Sequence, residues 1–106
     1  MVNIILIVDQ PYLNVSGHAN TDEIGKDLVC CAISMLVESL SRFMAMKEEE
    51  GALHYLANEV DAGNALITAY PLERSAQEVR GAFELVREGM RALANEYPDY
   101  ITLREV

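Results

Sequence analysis

Cysteine is scarce in this 106-residue chain: there are two, Cys30 and Cys31, side by side. Neighbouring cysteines cannot build a disulfide framework, so the chain reads as a thiol-reduced, cytoplasmic protein. Basic residues are also few. Eight Lys and Arg stand against 17 Asp and Glu, the formal charge is −9, and the cations form no cluster. Binding through phosphate contacts needs such a cluster, so no nucleic-acid partner is expected. An acidic protein attracts basic partners at long range, although solubility alone accounts for the charge. The sequence shows no uninterrupted apolar run of membrane-spanning length, and no membrane partner is expected. The opening MVNIILIVDQ lacks a basic flank and soon meets Asp9 and Pro11, which suits a strand and not a signal peptide. Repeats, low-complexity tracts and linkers are missing too. What remains is one domain, 1–106, with an apolar fraction of 51% that excludes disorder.

The patterning is legible along the chain. VNIILIV is β-branched and apolar, a buried strand. DQPY carries turn chemistry, and LNVSGHA alternates as a second strand ending near His18. Residues 19–26, ANTDEIGK, are polar, contain Gly25 and read as a surface loop. Helical spacing then runs from about Asp27 to Met46, with Leu28, Ala32, Leu36, Leu40 and Phe43 as the apolar stripe. Gly51 is placed to stop it. LHYLANEV and NALITAY flank DAG, a hairpin signal. A second helix spans roughly Ser75 to Glu96, with Val79, Phe83, Val86, Met90, Leu93 and Tyr97 on one face and Pro98 as its close. YITLREV is a last strand. The order β-β-α-β-β-α-β implies an α+β fold with a mostly antiparallel sheet and two helices. At 100° per residue, Ile33 and Val37 point away from the Leu28/Ala32/Leu36 stripe. The first helix is therefore apolar on two sides, which calls for burial within the chain or against a partner.

Chemistry concentrates between Gly17 and Ser34, in GHANTDEIGKDLVCCAIS. A thiol in the first turn of a helix is stabilised as thiolate by the unpaired N–H groups and the dipole. The backbone N–H groups of Cys30 and Cys31 would also hold the oxyanion formed when a thiolate attacks a carbonyl. His18, twelve residues before Cys30, ends a strand whose following loop returns to the helix start, so an imidazole base is within reach. Asp27 and Ser34 share the face of Cys30, whereas Cys31 lies about 100° round. Each residue also has a plain structural use. Cysteine is commonly buried, Asp27 suits an N-cap, Ser34 can bond back to its own helix, and Gly17 can mark a tight strand end. His54, mid-strand, suits a surface or edge position. His18, Cys30 and Cys31 do not supply the four well-spaced ligands of a structural zinc site, and no metal or cofactor is expected. From these residues alone, catalysis and structure both remain open.

The stretch resembles the ribosomal-processing cysteine protease family, Prp. Its members show Gly-His-Ala at a strand end, a short polar loop with glycine, and a helix start of the Asp-Ile-Val-Cys-Ala-Ala-Val-Ser type. Here these are Gly17 to Ala19, Gly25, and DLVCCAIS at Asp27 to Ser34. The tail NEYPDYITLRE also resembles the family's ending. The resemblance implies a cysteine endopeptidase with Cys30 as nucleophile and His18 as its base. It implies that the substrate is the precursor of large-subunit ribosomal protein number twenty-seven, cut after an aromatic residue to remove a short N-terminal extension. It also implies a homodimer. Cys31 departs from the family, where alanine is usual. The alternatives are a non-catalytic dimeric binding module of the same fold, or a peptidase with another substrate.

Overall fold

The computed structural model describes residues 1–17 and 24–106, with the side chains of 24–27 excepted. The strands β1 (Val2–Ile7) and β2 (Tyr12–Ser16) are followed by the helix α1 (Ile24–Glu49), the strands β3 (Leu53–Asp61) and β4 (Asn64–Pro71), the helix α2 (Ala76–Glu96) and the strand β5 (Ile101–Glu105). The five strands form one sheet in the order β3-β4-β2-β1-β5. Three pairings are antiparallel and the last, β1 with β5, is parallel. This is the α+β order read from the sequence.

The strand alternation sets the layers. Val2, Ile4 and Leu6 of β1, Leu13 and Val15 of β2, and Ala65, Ile67 and Ala69 of β4 are buried beneath the helices. Val79, Phe83, Val86 and Met90 of α2 meet them, on the face the sequence spacing indicates. Helix α2 ends where Tyr97 N–H donates to the Leu93 carbonyl, immediately before Pro98. Gly51 stops α1 as expected. Its φ is 73°, its N–H donates to Glu48, and the next N–H, of Ala52, reaches back to Lys47. Such paired bonds across a left-handed residue satisfy the last helical carbonyls. The DAG hairpin is a two-residue turn, Ala62-Gly63, between the paired residues Asp61 and Asn64.

Helix α1 corrects two expectations and adds one observation. It begins at Ile24 and not at Asp27, so residues 24–26 are helical backbone and not loop. The remainder of the expected loop, 19–23, lies outside the described residues. Its buried stripe is Val29, Ile33, Val37, Leu40 and Met44, whereas Leu28 is 59% exposed. The sheet takes the mainly β-branched face, and Leu36 and Phe43 sit partly buried at its margin. Finally, Leu28–Glu49 is long and apolar enough, by length and composition, to cross a membrane. Alanine, serine, methionine and cysteine between sparse charges produce that composition. Here one side of the helix is a core face, and a core helix meets the same criterion.

The two helices are tied at one buried cation. Lys47 in the last turn of α1 bonds Glu50 at 2.9 Å, pairs with Glu78 of α2, and lies 5.3 Å from the Phe43 ring centroid. Those carboxylates raise its pKa above the usual lysine value, against the opposing effect of burial. A buried ammonium is tolerated only when paired in this way.

Candidate active site

Cys30 is half-buried on the flank of α1 and packs against the core. The buried stripe of α1 lies one residue further round the helix than the sequence spacing suggests, which brings Cys30 to the margin of the core. Cys31, about 100° away, is exposed. One cysteine therefore faces protein and the other faces solvent.

Cys30 lines a cavity of about 450 Å³ at one end of the sheet. Its floor is Val2, Val15, Ile33, Val37 and Ala65. Along α1, Ser34 and Glu38 follow Cys30 at one-turn intervals and line the same cavity. The opposite wall is the tip of the β3–β4 hairpin, from Val60 to Asn64. Gly17 closes the end. Its N–H donates to the Gly63 carbonyl at 3.0 Å, which joins the end of β2 to the hairpin tip. At Gly17 φ is 104°, and a Cβ there would overlap the Met1 carbonyl oxygen. Glycine is thus required by the backbone at this position, whatever else the site needs.

The expected site residues are distributed unevenly. Gly17, Cys30 and Ser34 share the cavity. His18 and the side chain of Asp27 lie outside the described residues. Because α1 starts at Ile24, Asp27 is its fourth residue and not its cap, and Cys30 falls in the second turn. The N–H groups without an intrahelical partner are those of the first four residues. The backbone donors of Cys30 and Cys31 lie beyond that set. His54 is on the edge strand, exposed, with its ring against Tyr70 at 5.3 Å. Among the described residues no three His, Cys, Asp or Glu side chains converge as a metal site.

Sequence reasoning missed Glu38 and Asp61. Both are exposed, and they are the only acidic groups among the described lining residues, which include no Lys or Arg. Neither has an ion pair among the described residues. The one signal for Glu38 was its two-turn spacing from Cys30. Asp61 could not be placed without knowing that β4 pairs with β2, which carries the hairpin tip to Gly17.

An α+β domain with a half-buried cysteine in a cavity is the general setting of a thiol enzyme. The comparisons make the assignment: the chain belongs to the cysteine protease Prp family, whose model matches residues 1–102. It is a cysteine protease. The ribosomal processing cysteine protease Prp of Mycoplasma genitalium is 30% identical over 98 residues, spanning 92% of this chain and 91% of that relative. The fold matches the essential ribosomal processing protease Prp of S. aureus in complex with a substrate peptide. That match has a TM-score of 0.75 at 16% identity and covers all of both chains. The same protease with a covalently linked product peptide gives a TM-score of 0.74 at 17% identity, again over both whole chains. SMU.848 from Streptococcus mutans gives a TM-score of 0.68 at 22% identity, covering 99% of this chain and 91% of that one.

Proposed function

We propose that this protease removes the N-terminal extension of the precursor of large-subunit ribosomal protein number twenty-seven, with Cys30 as nucleophile and His18 as base. One observation carries the reading: Cys30 and Gly17 line the same cavity. Covalent geometry holds residue 18 one peptide, about 3.8 Å between Cα atoms, beyond Gly17. The proposed base is thereby tethered to a residue that lines the thiol's cavity.

The chemistry follows from those two groups. His18 takes the thiol proton, and the Cys30 sulfur attacks the scissile carbonyl carbon. The tetrahedral intermediate collapses as the imidazolium gives its proton to the leaving amine. The new N-terminus departs and an acyl-thioester remains on Cys30. Water, deprotonated by His18, then hydrolyses the thioester and restores the thiol. The apolar floor suits the aromatic residue that precedes the cut in the family's substrates. Ser34, one turn beyond Cys30, is positioned to donate a hydrogen bond into the same space. Asp27 is retained as a supporting group for His18.

The reading includes a cytoplasmic homodimer that needs no metal or cofactor. Leu28 and Met35, 59% and 67% exposed on the outer side of α1, supply apolar surface for a second copy. Membership of a protease family weighs against the inert binding module. Incubation with the purified precursor, followed by mass measurement, tests the function. Two products summing to the precursor plus one water are expected. An uncut precursor beside an active S. aureus control would remove the proposed substrate.

A further inference from the structure

We propose that Glu38 and Asp61 form a subsite that selects substrate peptides carrying a lysine or arginine close to the scissile bond. The inference rests on the reading of the Cys30 cavity as the peptide site and adds a charge requirement to it. The two carboxylates stand on opposite walls, Glu38 on α1 and Asp61 at the end of β3, and both line the cavity that holds the thiol. Several acidic side chains on and beside the two helices are already committed. Glu50 and Glu78 hold Lys47, Glu84 holds Arg80, and Glu88 holds Arg91. Glu38 and Asp61 hold no cation among the described residues.

Two carboxylates facing a cavity with a floor of valine, isoleucine and alanine match a long basic side chain. Its methylenes lie along apolar surface while its cationic head meets the rim. The flanks of the chain's own charge distribution favour the same ligand, because a net charge of −9 draws a basic peptide toward the site and repels an acidic one. Each ion pair at a solvent-exposed rim is weak alone, so two together give about a tenfold preference for a cationic over a neutral residue.

The test separates binding from cleavage. Fluorescein-labelled peptides with a central aromatic pair carry lysine, glutamine or glutamate at each flanking position in turn. Their binding to Cys30→Ala is followed by anisotropy, alone and combined with Glu38→Gln, Asp61→Asn or both. Cleavage of the same peptides by the protein with Cys30 intact is measured in parallel. At one or more positions lysine should bind about tenfold tighter than glutamine, and glutamate weaker still. The double substitution should level the three, and salt should erode the lysine preference as the screening length shortens. Equal binding of the three peptides at every position would overturn the subsite. So would a lysine preference that survives Glu38→Gln with Asp61→Asn. Lysine-dependent binding without cleavage would retain the subsite and refute the peptidase reading, whereas indiscriminate cleavage would do the reverse.

Discussion

Replacing Gly17 with alanine tests whether the wall of the site is built as described. Gly17 has φ of 104°, in the region that L side chains avoid, and its missing side chain leaves room for the Met1 carbonyl. The dihedral strain alone costs roughly 1–2 kcal/mol. Relieving the overlap means moving Met1, and Val2 next to it is pinned to Tyr100 by an N–H to carbonyl bond of 2.8 Å. Together the loss is about 2–4 kcal/mol, a large part of the ~5–15 kcal/mol that holds a domain folded. For a domain of this size that lowers Tm by roughly 10–20 °C. Thermal unfolding followed by circular dichroism measures it, with Gly81→Ala as the comparison. A Cβ at Gly81, on the exposed side of α2, meets nothing within 4 Å, so alanine there should stabilise by about 0.5–1 kcal/mol. Gly17→Ala melting where the unmodified protein melts would refute the strained turn and the packing against Met1.

Three further outcomes follow from the same structure. Leu40→Ala removes a side chain 2% exposed under α1 and should cost about 2–5 kcal/mol by urea unfolding; a loss near zero would mean that the core face of α1 is misassigned. Arg91 grips Glu105 through two bonds of 2.6 and 2.9 Å and holds its carboxyl below the usual carboxylate range. A depressed carboxylate stabilises above its unfolded pKa, so the advantage of the unmodified protein over Glu105→Gln should be full at neutral pH. It should vanish as acid takes pH through the native value, and a pH-independent difference would contradict the pairing. Cleavage should be indifferent to chelators, and an enzyme silenced by chelation and revived by zinc would overturn the metal-free thiol mechanism.

The legible parts of the fold were those where a local cause acts alone. Gly51, the DAG turn, Pro98 and the α2 stripe each announce themselves within a few residues. The face of α1 does not, because apolar side chains surround most of that helix. Two stripes at helical spacing compete, and only the sheet's preference for Val29, Ile33 and Val37 decides between them. The helix start was obscured for a related reason: Gly25 and the polar run before it argue for a loop, whereas the backbone is helical from Ile24. At the site, Cys30, Ser34 and Gly17 could be singled out by residue type and spacing. Asp61 came from elsewhere in the chain and owes its place to the β2–β4 pairing, a long-range contact that no local pattern encodes.

The central claim is that Cys30, and not its neighbour, forms the acyl-enzyme. Cys30→Ala and Cys31→Ala should therefore be compared on one preparation of the ribosomal precursor, with product masses read against time. Cys31 is exposed, and alanine in its place adds helix propensity, so Cys31→Ala should retain most of the cleavage rate. Cys30→Ala should fold, since it trims only one half-buried sulfur, yet yield essentially no product because no thiolate remains in the cavity. An active Cys30→Ala beside an inactive Cys31→Ala would contradict the account at its foundation.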